Sequence, residues 1–269
     1  MNTQVIVVPY DSGQRGWRMG AGPDHLLRAG LAEHLRSSGH DVAFTEVMDD
    51  QSLPPAEVRT AFELMRRIAV AVRTAREAGR FPLVLAGNCS TASGTLAGLT
   101  PAARSVFWFD AHADLNTPST TVSGYLDGMS LAIARGACYE ALTATIPGFE
   151  PVDDRRIRLI ATRDIDPPEQ QVIDRCGIRV GMNGTPHKTN GVAYVHCDLD
   201  SLDPARVGQA NLFPVPGGLS VGELRDHLGG IRRLMPIGAA AITAYAPEFD
   251  RTGSISKAAF DIAAELVHD

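Results

Sequence analysis

The sequence predicts an α/β protein built on a parallel sheet with helices on both faces. Short apolar runs alternate with amphipathic helical stretches along all 269 residues, with no fixed-period repeat or low-complexity linker between them. Runs such as Phe81–Ala86 are apolar throughout, as in strands covered on both sides. Acidic, imidazole and thiol side chains stand directly after the runs, where open α/β sheets place their ligands.

Taken in order, residues 3–8 read as a strand, and Pro9-Tyr10-Asp11-Ser12-Gly13-Gln14-Arg15-Gly16 as a turn-rich loop. Gly22-Pro23 leads into a helical spacing over 24–31, and 41–45 reads as the second strand. A charged loop with Pro54-Pro55 precedes a long helix over roughly 56–79. There Val58, Phe62, Met65, Ala69 and Val72 recur at three- and four-residue steps and form a core stripe. Phe81–Ala86 is followed by Gly87-Asn88-Cys89 and a helix over 90–96. Strand 105–109 and helix 129–137 come next, then strand 157–161 and a helix to about residue 175. Strands over 178–181 and 192–197, the helix Val221–Leu234, a last strand over 238–244 and a closing helix over 255–267 complete one domain, 1–269.

Composition narrows the function. The chain is 44% hydrophobic and 21% charged, an ordinary globular balance with ample core material. A net charge of −6 without any basic run argues against nucleic acid or an anionic membrane surface as partner. No apolar stretch reaches membrane-spanning length, and the start lacks an export signal. The four cysteines form no CxxC pair, so a reduced, cytoplasmic setting is expected.

The chemistry is concentrated in Phe107–Gly128. Asp110, His112 and Asp114 stand at alternate positions past a strand end, and in an extended chain such side chains point the same way. Crowded carboxylates repel unless cations or protons lie between them. Asp198 and Asp200 repeat the pattern downstream. Oxygen-rich donors with a little imidazole suit Mn²⁺, Fe²⁺ or Mg²⁺ better than a structural zinc site. The reading is a two-metal hydrolytic centre.

Phe109-Asp110-Ala111-His112-Ala113-Asp114-Leu115-Asn116-Thr117-Pro118, then Ser123-Gly124, then Asp198-Leu199-Asp200-Ser201-Leu202-Asp203-Pro204, resemble the ureohydrolase (arginase/agmatinase) family. The resemblance runs from the N-terminal Gly-Gln-x-Gly loop to Pro247. It implies a three-layer α/β/α fold with a central, mostly parallel eight-stranded sheet, often in homo-oligomeric trimers or hexamers. It also implies two divalent ions, Mn²⁺ by preference, with Asp110, His112, Asp114, Asp198 and Asp200 as ligands and Asp110 and Asp198 as bridges. Between two such ions ~4 Å apart, a shared water is acidified toward neutrality and attacks a guanidinium carbon. Asp114 then orients that nucleophile and passes a proton to the leaving amine. Asn116, Ser123 and Asp166 match the residues that hold an α-amino acid's carboxylate and amino groups. That makes agmatine a poorer substrate candidate, although local turn capping is another use of Asn116.

Three positions depart from the family pattern. Cys89 stands where Gly-Asp-His has its metal-binding His. As a soft thiolate it favours Zn²⁺ or Fe²⁺ over Mn²⁺; as a buried thiol it merely fills space. Asp127 replaces the proton-shuttling His, as a relay or as a helix N-cap before Met129. Ala244 replaces the acid that pairs with the guanidinium, a contact normally worth ~1.5–3 kcal/mol. Family variants with a Cys ligand act on Nω-hydroxy-L-arginine. The expected function is metal-dependent C–N hydrolysis of an arginine-like amino acid to urea or a substituted urea. The alternative is a catalytically silent relative that binds an amino acid or a partner.

Overall fold

The computed structural model describes residues 1–49, 52, 56–99, 104–182 and 191–268; the loop read at Pro54-Pro55 lies outside the described residues. The strands are β1 (Asn2–Val8), a small antiparallel hairpin of β2 (Tyr10–Asp11) and β3 (Gln14–Arg15), β4 (Asp41–Glu46), β5 (Phe81–Ala86), β6 (Arg104–Phe109), β7 (Ile157–Ile160), β8 (Arg179–Val180), β9 (Val192–Asp198) and β10 (Ile237–Thr243). Eight of them form one sheet in the order β4-β1-β5-β10-β9-β6-β7-β8. Every ladder in it is parallel.

Strand alternation divides the apolar side chains between two cores. On one face Val5, Val7, Leu83, Leu85, Val195 and Cys197 pack under α1 (Gly22–Arg28), α2 (Leu31–Ser37), α8 (Val221–Leu234) and α9 (Ser254–Leu266). On the other, Ile6, Val8, Val84, Trp108 and Tyr194 pack under α3 (Glu57–Glu77), α4 (Ala92–Gly98), α5 (Ser130–Ala134) and α7 (Pro167–Cys176). A short α6 (Glu140–Thr143) joins a satellite cluster around Phe62 and Met65. Truncating a residue such as Leu83, fully buried between strands and helices, costs about 2–5 kcal/mol.

The helices over 24–31 and 129–137 differ from the sequence reading. The first is two helices, α1 and α2, separated at Gly30, whose φ of 106° breaks the helical path. The second shortens to α5, because Gly136 turns left-handed at φ 72°. The 90–96 helix begins with a 3₁₀ turn, Cys89–Thr91, before α4. Ser220 caps α8 by accepting the Glu223 N–H at 3.2 Å, and Glu223 reaches back to the Ser220 N–H at 2.7 Å. No described helix is long and apolar enough to cross a membrane.

Candidate metal centre

Strands β5, β6, β9 and β10 end around a cavity of about 260 Å³. Cys89, Asp110, His112, Asp114, Asn116, Ser123, Asp127, Asp166, Asp198 and Asp200, the residues singled out from the sequence, all line it. Strand phase explains the convergence: Asp198 follows Tyr194 and His196 on one face of β9, and Asp110 follows Trp108 on the same face of the sheet.

Backbone geometry then sets each side chain. Gly87 leads out of β5, and a Cβ there would collide with the Tyr10 carbonyl oxygen and the Gly20 backbone; only glycine lets the chain pass. Cys89 follows, with Sγ 3.0 Å from Asp198 Oδ2. Asp110 accepts the His112 N–H at 2.7 Å and the Trp108 indole N–H at 3.0 Å. Asp198 accepts the Asp200 N–H at 2.8 Å, and Asp200 accepts the Ala111 N–H at 3.1 Å. The His112 Nδ1 lies 3.4 Å from Asp110 and 3.3 Å from Asp200.

Asp114 reaches the cavity by a different path from the extended chain expected. Its φ is 54°, left-handed, a conformation that L-residues adopt at a cost. Compensation comes from its carbonyl, which accepts the Leu131 and Ala132 N–H groups at 3.0 Å each and so caps α5. Its carboxylate Oδ2 is buried and has no hydrogen-bond partner among the described residues.

The electrostatics ask for cations. Burial, with Asp200 beside it, pushes the Asp110 carboxyl up to about 6. Burial and the neighbouring Asp110 likewise hold Asp114 well above the carboxylate range, and burial with Asp200 and Asp110 does the same to Asp198. Asp200 moves the other way: the His112 imidazole outweighs its burial. Burial works against protonation of His112 too, yet hydrogen bonds to Asp110 and Asp200 carry it up to about 12. Ligand atoms of Asp110, His112 and Asp200 lie within 4.8 Å of one another, as do those of Cys89, Asp110 and His196; Asp110 belongs to both groups. Several carboxylates, two imidazoles and one thiol, with an orphaned buried oxygen on Asp114, fit a pair of divalent ions.

Around these groups stand the others. The Asn116 amide donates to Asp166 Oδ2 at 2.8 Å while Thr120 donates to Asn116 Oδ1 at 2.9 Å, so Asn116 both faces the cavity and braces its own turn. Ser123 sits exposed at the mouth. Asp127 does not cap its own helix; its carboxylate accepts the Ser90 N–H at 2.9 Å and caps the turn that carries Cys89.

Sequence reasoning missed several contributors. Glu169 accepts the Leu115 N–H at 2.8 Å and ties the loop after β6 to the start of α7. Asn211 donates to Asp200 Oδ2 at 3.3 Å and to the Ala244 carbonyl at 3.1 Å. Asp11, fully buried, accepts from the Tyr125 hydroxyl at 3.0 Å and from the Asn88 amide at 3.3 Å. Their only signal in the sequence is a polar residue at a position that burial must then explain.

A parallel α/β sheet whose strand ends gather carboxylates, imidazoles and a thiol around one cavity is an α/β/α enzyme architecture with donors suited to divalent ions. The Arginase family model matches residues 1–268. The chain is 34% identical over 256 residues to an arginase of Bacillus caldovelox, covering 83% of each sequence. It is 30% identical over 291 residues to an arginase of Bacillus subtilis (strain 168), covering 98% of this chain and 96% of that one. The structure of the Bacillus caldovelox arginase superposes with a TM-score of 0.88 at 27% identity, covering 100% of this chain and 98% of the other. This protein belongs to the arginase family and is a ureohydrolase.

Proposed function

We propose that this ureohydrolase cleaves the guanidino C–N bond of an arginine-like α-amino acid, with Nω-hydroxy-L-arginine preferred over L-arginine. The carrying observation is Ala244. It lines the cavity where relatives by resemblance place a guanidinium-pairing acid, and it contributes only a methyl group. Its backbone is anchored at both ends, by its N–H to the Gly87 carbonyl at 3.2 Å and by its carbonyl to Asn211. A hydroxyl on the guanidine withdraws electrons and lowers its basicity, so an N-hydroxyguanidine loses less than arginine does when the carboxylate is missing.

Asp110, His112, Asp114, Asp198, Asp200 and Cys89 would hold the ions, Mn²⁺ by preference, with Fe²⁺ or Zn²⁺ favoured beside the Cys89 sulfur. When bound, such ions acidify a water and polarise the group attacked. Asp114, with a free oxygen aimed into the cavity, orients the nucleophile. Asn116, Ser123 and Asp166 at the mouth hold the amino-acid head group and set the guanidino carbon over the acidic floor. Asp127 relays the proton to the departing amine. Burial pushes its carboxyl up to about 7 despite hydrogen bonds from Ser90 and Asn88, which brings an aspartate close to a histidine's working range.

The products are an ornithine-like amine and urea, or hydroxyurea from the hydroxylated substrate. The chain acts as one catalytic domain, and four free cysteines suit the reducing cytoplasm. Assaying both substrates with Mn²⁺, Fe²⁺ and Zn²⁺ tests the reading: ornithine release faster from the hydroxylated compound supports it. Binding of both without turnover, or a preference for arginine, contradicts it.

A further inference from the structure

Behind Cys89 runs a line of buried polar side chains that the reaction above leaves unused. Cys89 Sγ lies 3.2 Å from Thr243 Oγ1, Thr243 Oγ1 lies 3.2 Å from His196 Nε2, and His196 Nδ1 lies 3.1 Å from the Tyr194 hydroxyl. All four residues are buried, and His196 is wholly so. The imidazole stacks on Trp108 with ring centres 3.7 Å apart and planes 9° from parallel. Trp108 itself donates to Asp110. The two stacked rings therefore lie behind the cavity lining, one bracing Asp110 directly and the other reaching Cys89 through Thr243.

We propose that Thr243, backed by His196, is a positioning residue that fixes the Cys89 sulfur as a ligand by donating its hydroxyl hydrogen bond to it. The inference rests on the reading of Cys89 as a ligand. Once the sulfur carries no proton it only accepts, so the Thr243 O–H must point to it. The Thr243 oxygen then accepts from His196 Nε2–H, and the remaining ring nitrogen accepts from the Tyr194 O–H. The Thr243 hydroxyl is thus the donor in this line that meets the sulfur. Partners behind a ligand orient it and tune its bond to the ion, and their loss weakens metal binding by roughly 10- to 100-fold.

Co²⁺ supplies a readout independent of turnover, because a thiolate ligand gives a near-ultraviolet sulfur-to-cobalt band. The wild-type protein loaded with Co²⁺ shows that band, and Cys89→Ser lacks it. Thr243→Val, of the same shape without the donor, moves the band to longer wavelength and weakens Co²⁺ binding about ten-fold. Thr243→Ser restores both. His196→Leu, one step removed, moves the band in the same direction by less and serves if Thr243→Val does not fold. A wild-type band that neither Thr243→Val nor His196→Leu shifts overturns the positioning role while leaving Cys89 a ligand. No band in the wild type overturns the ligand reading, and the inference with it. Loss of a whole equivalent of Co²⁺ in His196→Leu alone makes His196 a ligand and also overturns the proposal.

Discussion

The Asn88 amide donates to the Asp127 carboxylate at 2.9 Å, joining two residues 39 positions apart in the chain. Both stand where the chain departs from its family's usual Gly-Asp-His loop and shuttle histidine. In this protein the two departures are one contact: an aspartate at the half-buried position 88 would face Asp127 with a second negative charge.

Interdependence follows. Asn88→Asp should cost about 1–3 kcal/mol of stability through carboxylate repulsion and a lost donor. Asp127→His alone should cost a similar amount, since the Ser90 N–H loses its acceptor. The double variant should recover at least about 1 kcal/mol relative to the sum. Thermal melts of the four proteins check this, and strict additivity would refute the coupling.

Ala244→Glu should move preference toward L-arginine. A carboxylate restored at this wall supplies a charge-assisted contact of ~1.5–3 kcal/mol to a full guanidinium, roughly 10- to 100-fold in relative kcat/KM. Paired kinetics on arginine and Nω-hydroxyarginine read it. An unchanged ratio would remove Ala244 from the specificity argument.

Stripping the ions should make stability fall with rising pH. Burial, then Asp200, puts Asp110 at about 6, and burial puts Asp127 at about 7, against an ordinary 3.8. Without ions the folded chain holds these protons more tightly than the unfolded chain. Their stabilising contribution is complete below the unfolded value and is lost as pH rises through 6 and 7. Melting points of chelator-treated protein should therefore drop between about pH 4 and 7, whereas metal-saturated protein should hold level. Parallel curves would deny that ions neutralise this cluster.

Asp127→Asn should remove the ionisation near 7 from the pH–rate profile and lower kcat by about 10²- to 10⁴-fold, the usual worth of a proton relay. Because the amide keeps the shape at Ser90, metal content should stay intact. A profile that keeps the same inflection would assign the ionisation elsewhere.

The sheet was legible because parallel strands buried on both faces leave continuous apolar runs, as in Phe81–Ala86 and the run before Asp110. The cavity-lining residues were legible because their spacing past strand ends survives in one dimension. What remained hidden is what only folding juxtaposes. Thr243 and His196 lie on neighbouring strands behind Cys89, 154 and 107 residues along the chain. Asp11 sat unremarked in a turn-rich loop, although it is buried against Tyr125 and Asn88. Alternation placed Asp110, His112 and Asp114 together, but the left-handed turn at Asp114 is set by the start of α5 and has no local signal.

The central claim is that buried carboxylates and one thiol hold two divalent ions. Calorimetric titration of the chelator-stripped protein with Mn²⁺, beside Cys89→His, tests it most directly. Two equivalents should bind to the wild type, and Cys89→His should tighten one of them by about ten-fold as imidazole replaces a softer donor. Fewer than two equivalents, or identical curves for both proteins, would contradict the account.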